Sequence, residues 1–254
     1  MTITNAMPAT STPIPGSRKV LRGHVSFVGA GPGDASLLTV RAAELLAQAD
    51  VVITELPEQE VLVTNGAEII DGGVGEDGET LTHAARARLV VRHAKTGANV
   101  VRLIAGDPFT YATGPEEASA CTKAGIGFEI VPGISSVSAV PAYAGVPLTN
   151  RTHREYSVVS VGDSTVHWAD HAGQQTLVLL SAVARIGEAA RGLIEAGRSP
   201  ETPVAMTRVG TTTEQTTSVS TLADIAADAK AAGTTAPATT VVGEVVTMRE
   251  ALSW

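Results

Sequence analysis

The sequence predicts an α/β fold divided into two lobes. Three observations carry that expectation. In the first half, apolar runs of strand length alternate with segments of helical periodicity. The runs at 24–29, 99–104 and 127–131 each lead into a glycine-bearing turn. In the second half, β-branched Thr and Val runs accumulate. Strand–helix–strand crossovers call for parallel pairing in the first half, whereas the Thr/Val-rich part favours antiparallel content.

Taken in order, residues 1–22 are rich in Thr, Ser and Pro and read as a disordered lead-in. HVSFVG at 24–29 is a strand that ends in glycine, SLLTVRAAELLAQA at 36–49 has helical spacing, and VVIT at 51–54 is a second strand. The stretch 57–80 is acidic and glycine-rich and reads as an exposed loop. A helix is expected at 81–96, with Arg86, Arg88 and Arg92 on a partly polar face. NVVRLI at 99–104 is a buried strand, 116–123 a helix, GFEIV at 127–131 a strand and 135–143 a helix.

The second lobe begins with YSVVSVG at 156–162. TLVLLSA at 176–182, VAMTRVG, TTSVSTL and ATTVVGEVV read as strands, with helices at 185–196 and 222–232. The boundary falls near 148–153, which divides the chain into a tail at 1–22, an N-terminal lobe at 23–150 and a C-terminal lobe at 151–254.

Composition removes several classes of function. The 254 residues carry 18 Lys+Arg against 26 Asp+Glu, a formal charge of −8, and aromatics make up 3%. An acidic chain poor in aromatics offers neither a phosphate-binding stripe nor a base-stacking platform, so no nucleic-acid partner is expected. The single cysteine, Cys121, excludes a disulfide framework and Cys-based metal sites and reads as a small core residue. His24, His83, His93, His167 and His171 show no ligand spacing, so no metal is expected. No apolar run approaches the roughly 18 residues of a membrane span, and no secretory pattern opens the chain, so a cytoplasmic location is expected.

Chemistry points to the glycine turns. GAGPGD at 29–34 lies between a strand and a helix, yet Asp34 stands where a dinucleotide fingerprint needs Gly or Ala, and no Gly-Lys-Ser/Thr ending follows. Pro32 removes a donor and stiffens the turn, which suits a nucleoside or amino-acid moiety better than a pyrophosphate. AGDPF at 105–109 and VPGISS at 131–136 repeat the arrangement. Three such turns after strands of a parallel sheet would gather at one end of the sheet, where α/β ligand clefts form.

GAGPGDASLLT, GDPFTY, EEASA, VPGISS, PAYAGVPLT and GTTTEQ, in that order, resemble the motifs of the tetrapyrrole methylase family over roughly 24–254. Within it, methylases of uroporphyrinogen III are the most similar. The resemblance implies a class III methyltransferase fold, α/β and two-lobed, with a cofactor cleft between the lobes. It implies transfer of methyl groups from S-adenosyl-L-methionine, with S-adenosyl-L-homocysteine as product, to a small-molecule tetrapyrrole, and a homodimer. The ending at Leu252 to Trp254 also resembles the point where some members continue into a uroporphyrinogen-III synthase domain.

Carried over by position, the resemblance implies cofactor contacts from Pro32, Ala105, Gly106, Asp107, Thr110, Ser135, Ser136, Ser181 and Gly210. Asp107 can accept from a ribose or an amino group, or cap its own turn; Ser135 and Ser136 can equally be helix caps. Methyl transfer to a ring carbon also needs a base, and Glu55 stands where the family has a carboxylate, usually Asp. Arg151 and Arg154, after PLTN, are candidates for pairing with substrate carboxylates, the alternative being a solvated linker. The chain departs from the family by lacking a lysine at 71–74 and by having Ile104 for Lys, Ala105 for Gly, Thr113 for Arg, Asn150 for His and Ser181 for Met. Two alternatives stay open beside methylation of uroporphyrinogen III: a degenerate domain that binds cofactor without turnover, and a methylase with another acceptor.

Overall fold

Apolar runs bounded by turns build two sheets, and the order in which strands enter them decides where the turns meet. The computed structural model describes residues 23–75, 78–162, 165–252 and 254; the expected tail at 1–22 lies outside the described residues. The chain runs β1 (His24–Gly29), α1 (Val40–Leu46), β2 (Val51–Thr54), β3 (Glu68–Asp71), α2 (His83–Ala94), β4 (Val100–Ile104), α3 (Gly114–Lys123), β5 (Gly127–Val131) and α4 (Ser136–Tyr143). It continues with β6 (Tyr156–Ser160), β7 (Thr176–Leu180), α5 (Ile186–Glu195), β8 (Pro203–Arg208), β9 (Thr216–Thr221), α6 (Ile225–Ala231), β10 (Ala238–Val242) and α7 (Arg249–Leu252).

The first sheet is parallel, in the order β3-β2-β4-β1-β5. Val25 faces Val100 on one side and Phe128 on the other, so β1 is paired along both edges. Its central strands β2 and β4 are buried throughout, which is why they read as largely apolar runs rather than alternating ones, with Arg102 the charged exception in β4. Leu45 and Leu46 of α1 pack on one face with Val28, Val52 and Leu103. Val90 and Ala94 of α2, with Ala118 and Cys121 of α3, pack on the other with Phe27, Ile53 and Ile104. Right-handed crossovers explain this split, because α1 connects strands in one direction across the sheet and α3 in the opposite one.

The second sheet has the order β6-β7-β10-β8-β9, with β6 and β7 parallel and every other pairing antiparallel. α5 and α6 cover one face through Ala189, Leu193, Ile225 and Ala229. On the other face Ala144 and Val146, from the segment leaving α4, pack against Ala205, Val241 and Val246. The interlobe segment is therefore part of the second core.

Three expectations need correction. The stretch 57–80 contains β3, an edge strand paired in parallel with β2 from Val51↔Glu68 to Thr54↔Asp71. Its Ile69 and Ile70 lie between acidic residues, and the unpaired edge of β2 supplies what local sequence does not signal. The helix expected from residue 36 starts at Val40, because the Thr39 side chain caps it by accepting from the Ala42 N–H; a short 3-10 turn at Ala35–Leu37 precedes it. Arg86 does not share an exposed face with Arg88 and Arg92: it is buried on the inner face of α2.

Candidate active site

The three glycine turns follow β4, β1 and β5, which are neighbours in the sheet, and their backbones touch. The Gly31 and Gly106 amides exchange hydrogen bonds, at 3.2 Å to the Gly106 carbonyl and 2.8 Å to the Gly31 carbonyl. A Cβ at Gly133 would fall 2.1 Å from the Gly106 oxygen and 2.7 Å from Gly29 Cα, and one at Gly29 would fall 2.5 Å from Gly133 Cα. No side chain fits at this junction. By contrast, a Cβ at Gly106 would make only ordinary contacts, with Ser135 Cα and Ser136 N at 3.8 Å; there it is the positive φ of 65° that favours glycine.

Asp107 staples the second turn to the third. Its Oδ1 accepts from the Phe109 amide and the Thr110 hydroxyl, both at 2.9 Å, and its Oδ2 accepts from the Gly133 amide at 3.1 Å. The carboxylate thus caps its own turn, one of the two roles the sequence left open. Ser135 caps α4 by accepting from the Val137 amide at 3.2 Å, and Ser136 is the first helical residue. Pro32 is half-buried, whereas Ala105 and Thr110 are exposed.

The second lobe reaches this cluster through the segment after β8. Asp34 N–H donates to Thr211 Oγ1 at 3.2 Å, and a Cβ at Gly33 would lie 3.2 Å from the Gly210 carbonyl. Gln215 donates from Nε2 to the Tyr143 carbonyl at 3.0 Å, and Gly210 sits directly beneath Val140 of α4. Gly210 is therefore buried in the lobe contact, and its neighbour Thr211 makes the polar bond. Hydrogen bonds from Ser36 hold the Asp34 carboxyl below its usual range. Tyr111, not singled out in the sequence, makes a second bridge: its hydroxyl donates to the Val158 carbonyl of β6 at 2.9 Å. Ser181 follows β7 at a positive φ of 52° and is exposed.

Glu55 lies just past β2 and is the open end of an ion-pair cluster. Arg102 of β4 and Arg86 of α2 each hold one of its oxygens, Arg86 Nη2 at 2.8 Å from Oε2. Arg102 Nε also donates to Glu117 Oε2 at 2.8 Å, and Thr113 Oγ1 donates to Glu117 Oε1 at the same distance. Two carboxylates and two guanidiniums cancel in charge. Arg86 carried a signal the sequence reading missed: it precedes Val90 and Ala94 at helical spacing, on the face that packs inward.

Arg151 and Arg154 are not brought to this cluster. They are exposed in the link before β6, where Asn150 Oδ1 accepts from the Thr152 and His153 amides. Ser181 stands at the opposite end of the adjacent parallel strand, beyond the pairing of Ser160 with Leu180. A groove of about 910 Å³ between α2 and α3, floored by Ala84, Val91 and Ala120, shares no residue with the glycine turns. Among the described residues, no group of His, Cys, Asp and Glu could hold a metal ion, and no helix is long and apolar enough to cross a membrane.

Residues 24–226 match the family of Tetrapyrrole (Corrin/Porphyrin) Methylases. An S-adenosyl-L-methionine-dependent uroporphyrinogen III methyltransferase of Methanosarcina barkeri is 40% identical, over 91% of this chain and 94% of that protein. Siroheme synthase 1 of Pectobacterium atrosepticum is 41% identical, but the alignment covers 92% of this chain and 50% of the synthase, so the chain spans about half the length of such relatives. The crystal structure of a uroporphyrin-III C-methyltransferase from Thermus thermophilus, complexed with S-adenyl homocysteine, superposes with a TM-score of 0.75 at 33% identity. That alignment covers 88% of this chain and 93% of the Thermus chain.

Proposed function

Since the chain belongs to the tetrapyrrole methylase family, we propose that it transfers a methyl group from S-adenosyl-L-methionine to a ring carbon of uroporphyrinogen III. Two successive transfers, each consuming one cofactor, give precorrin-2, which feeds sirohaem and cobalamin synthesis. The observation that carries this reading is the backbone contact of three glycine turns at the C-terminal end of the sheet's strands, joined by Thr211 from the second lobe. A floor bare of side chains beside the α4 N-terminus fits a nucleoside-bearing amino acid, because backbone amides can approach it closely. Residues 23–150 and 151–254 act as the two lobes that enclose it.

When bound, the cofactor supplies an electrophilic methyl on a cationic sulfur and leaves as S-adenosyl-L-homocysteine. Pro32, Ala105, Gly106, Asp107, Thr110, Ser135, Ser136, Ser181 and Gly210 line or shape its site. Asp107 does so by fixing the second and third turns to each other rather than by offering a free carboxylate. Holding the acceptor carbon in line with the methyl supplies much of the acceleration. As the new carbon–carbon bond forms, the methylated pyrrole becomes cationic and sheds a proton from its N–H or an adjoining bridge carbon, and Glu55 accepts it on a lone pair not used by Arg86 or Arg102. The protein works in the cytoplasm as a homodimer and cooperates with a uroporphyrinogen-III synthase, fused or separate.

Incubation with methyl-labelled cofactor and freshly reduced uroporphyrinogen III tests the reading. Label in the tetrapyrrole is expected; its absence, where an authentic methylase works, overturns it. One observation favours a second reading. Both cations beside Glu55 are already paired with carboxylates, which leaves them unavailable to a polyanionic acceptor. Tight calorimetric binding of S-adenosyl-L-homocysteine without turnover would identify a domain that binds cofactor only.

A further inference from the structure

Three members of the Glu55 cluster are closed to solvent and one is not. Side-chain exposure is 0% for Arg102 and Glu117 and 5% for Arg86, but 33% for Glu55. Arg102 is saturated. Its Nε and Nη2 serve Glu117, Nη2 also serves Glu55, and Nη1 serves the carbonyls of Leu103 at 2.8 Å and Ile53 at 3.4 Å. Arg102 and Glu117 thus form a complete buried pair that does not require Arg86.

Arg86 is a costly residue for the inner face of a helix, where an apolar side chain would pack without desolvating a charge. It reaches Glu55 past a segment that presents no side chain: its Nε donates to the Gly72 carbonyl at 2.7 Å. A Cβ at Gly72 would be 3.2 Å from the Thr54 oxygen, and one at Gly73 would be 3.5 Å from the Glu55 carbonyl. The guanidinium therefore arrives at the one carboxylate oxygen that Arg102 leaves unheld.

We propose that Arg86 is a positioning residue for methyl transfer: with Arg102 it grips Glu55 from two sides and turns the carboxylate's remaining lone pairs toward its solvent-open side. This rests on the reading of Glu55 as the base. A purely structural network has no need of an open end, whereas a base must be both fixed and accessible.

The test compares Arg86→Met, Arg86→Lys and Glu55→Gln with the wild type. In Arg86→Met, kcat on uroporphyrinogen III is expected to fall roughly a hundredfold through misplacement of the base, with KM for the cofactor little changed. Added guanidinium ion restores part of the rate, and Arg86→Lys, which keeps one contact, is intermediate. Wild-type kcat in Arg86→Met overturns the proposal. So does a loss that guanidinium fails to restore while S-adenosyl-L-homocysteine still binds with wild-type affinity. If the wild type itself transfers no methyl, the acceptor reading fails, and the grip is decided by carbon NMR of labelled glutamate. The Glu55 carboxyl resonance, assigned through Glu55→Gln, shifts and broadens in Arg86→Lys if the guanidinium holds it. An unchanged resonance overturns the proposal without reference to turnover.

Discussion

Arg102 Nε lies 2.8 Å from Glu117 Oε2, and neither side chain has any exposed surface. The pair ties β4 to α3 and supports the turn at 105–109 from below. Removing one partner leaves an uncompensated charge in the core, so Arg102→Met is expected to lose about 3–5 kcal/mol of stability. Urea unfolding measures it. The double variant Arg102→Met/Glu117→Gln should be less damaged than the sum of the two single changes, because the orphaned charge is gone.

Gly133→Ala introduces a methyl where 2.1 Å separates its position from the Gly106 carbonyl. The obstacle is backbone, so the turns must part. Affinity for S-adenosyl-L-homocysteine is expected to fall at least about tenfold, together with a lower melting temperature. Calorimetry checks the first and thermal unfolding the second.

Burial pushes the Cys121 thiol up to about 11, with a smaller contribution from the Glu117 charge. The native thiol is therefore protonated and enclosed. Thiol reagents at mildly alkaline pH should label it only after unfolding. The thiol keeps its proton in the fold above the ordinary value of 9.0, so the unfolded chain deprotonates first. The stability it contributes is present below pH 9 and is lost as pH rises from 9 toward 11.

His24 is shifted the other way. Burial holds its imidazole below 6.5, opposed by the attraction of Glu129 and assisted by Arg41. Below that pH the unfolded chain binds a proton that the folded chain resists, so stability falls as the solution is acidified. His24→Gln should flatten the decline in melting temperature below pH 6.5, and an unchanged profile would reject this account.

Val51–Thr54 was legible in the sequence to the residue, because burial on both faces leaves a continuous apolar run between polar boundaries; Gly127–Val131, a partly exposed edge strand, was legible from the glycine that opens it and the Pro132-Gly133 turn that ends it. β3 was not legible. Its two isoleucines are flanked by acids, and what makes them a strand is the free edge of β2. The glycine turns could be identified individually, and their convergence followed from parallel topology. Asp107 and Ser135 could be assigned to the site, but whether they serve a ligand or cap their own turns depended on which amides came within reach.

The opening alternation of apolar runs, glycine turns and helical segments determined the fold class and the end of the sheet at which chemistry gathers. Periodicity and turn stereochemistry are local properties, written residue by residue. Tertiary structure decided the pairing of charges. Arg86, Arg102, Glu55 and Glu117 come from different segments, and Arg151 and Arg154 stay apart from them, because an ion pair depends on distance across the fold. A total of −8 carries no information about such distances; the neutral cluster at the end of β2 does.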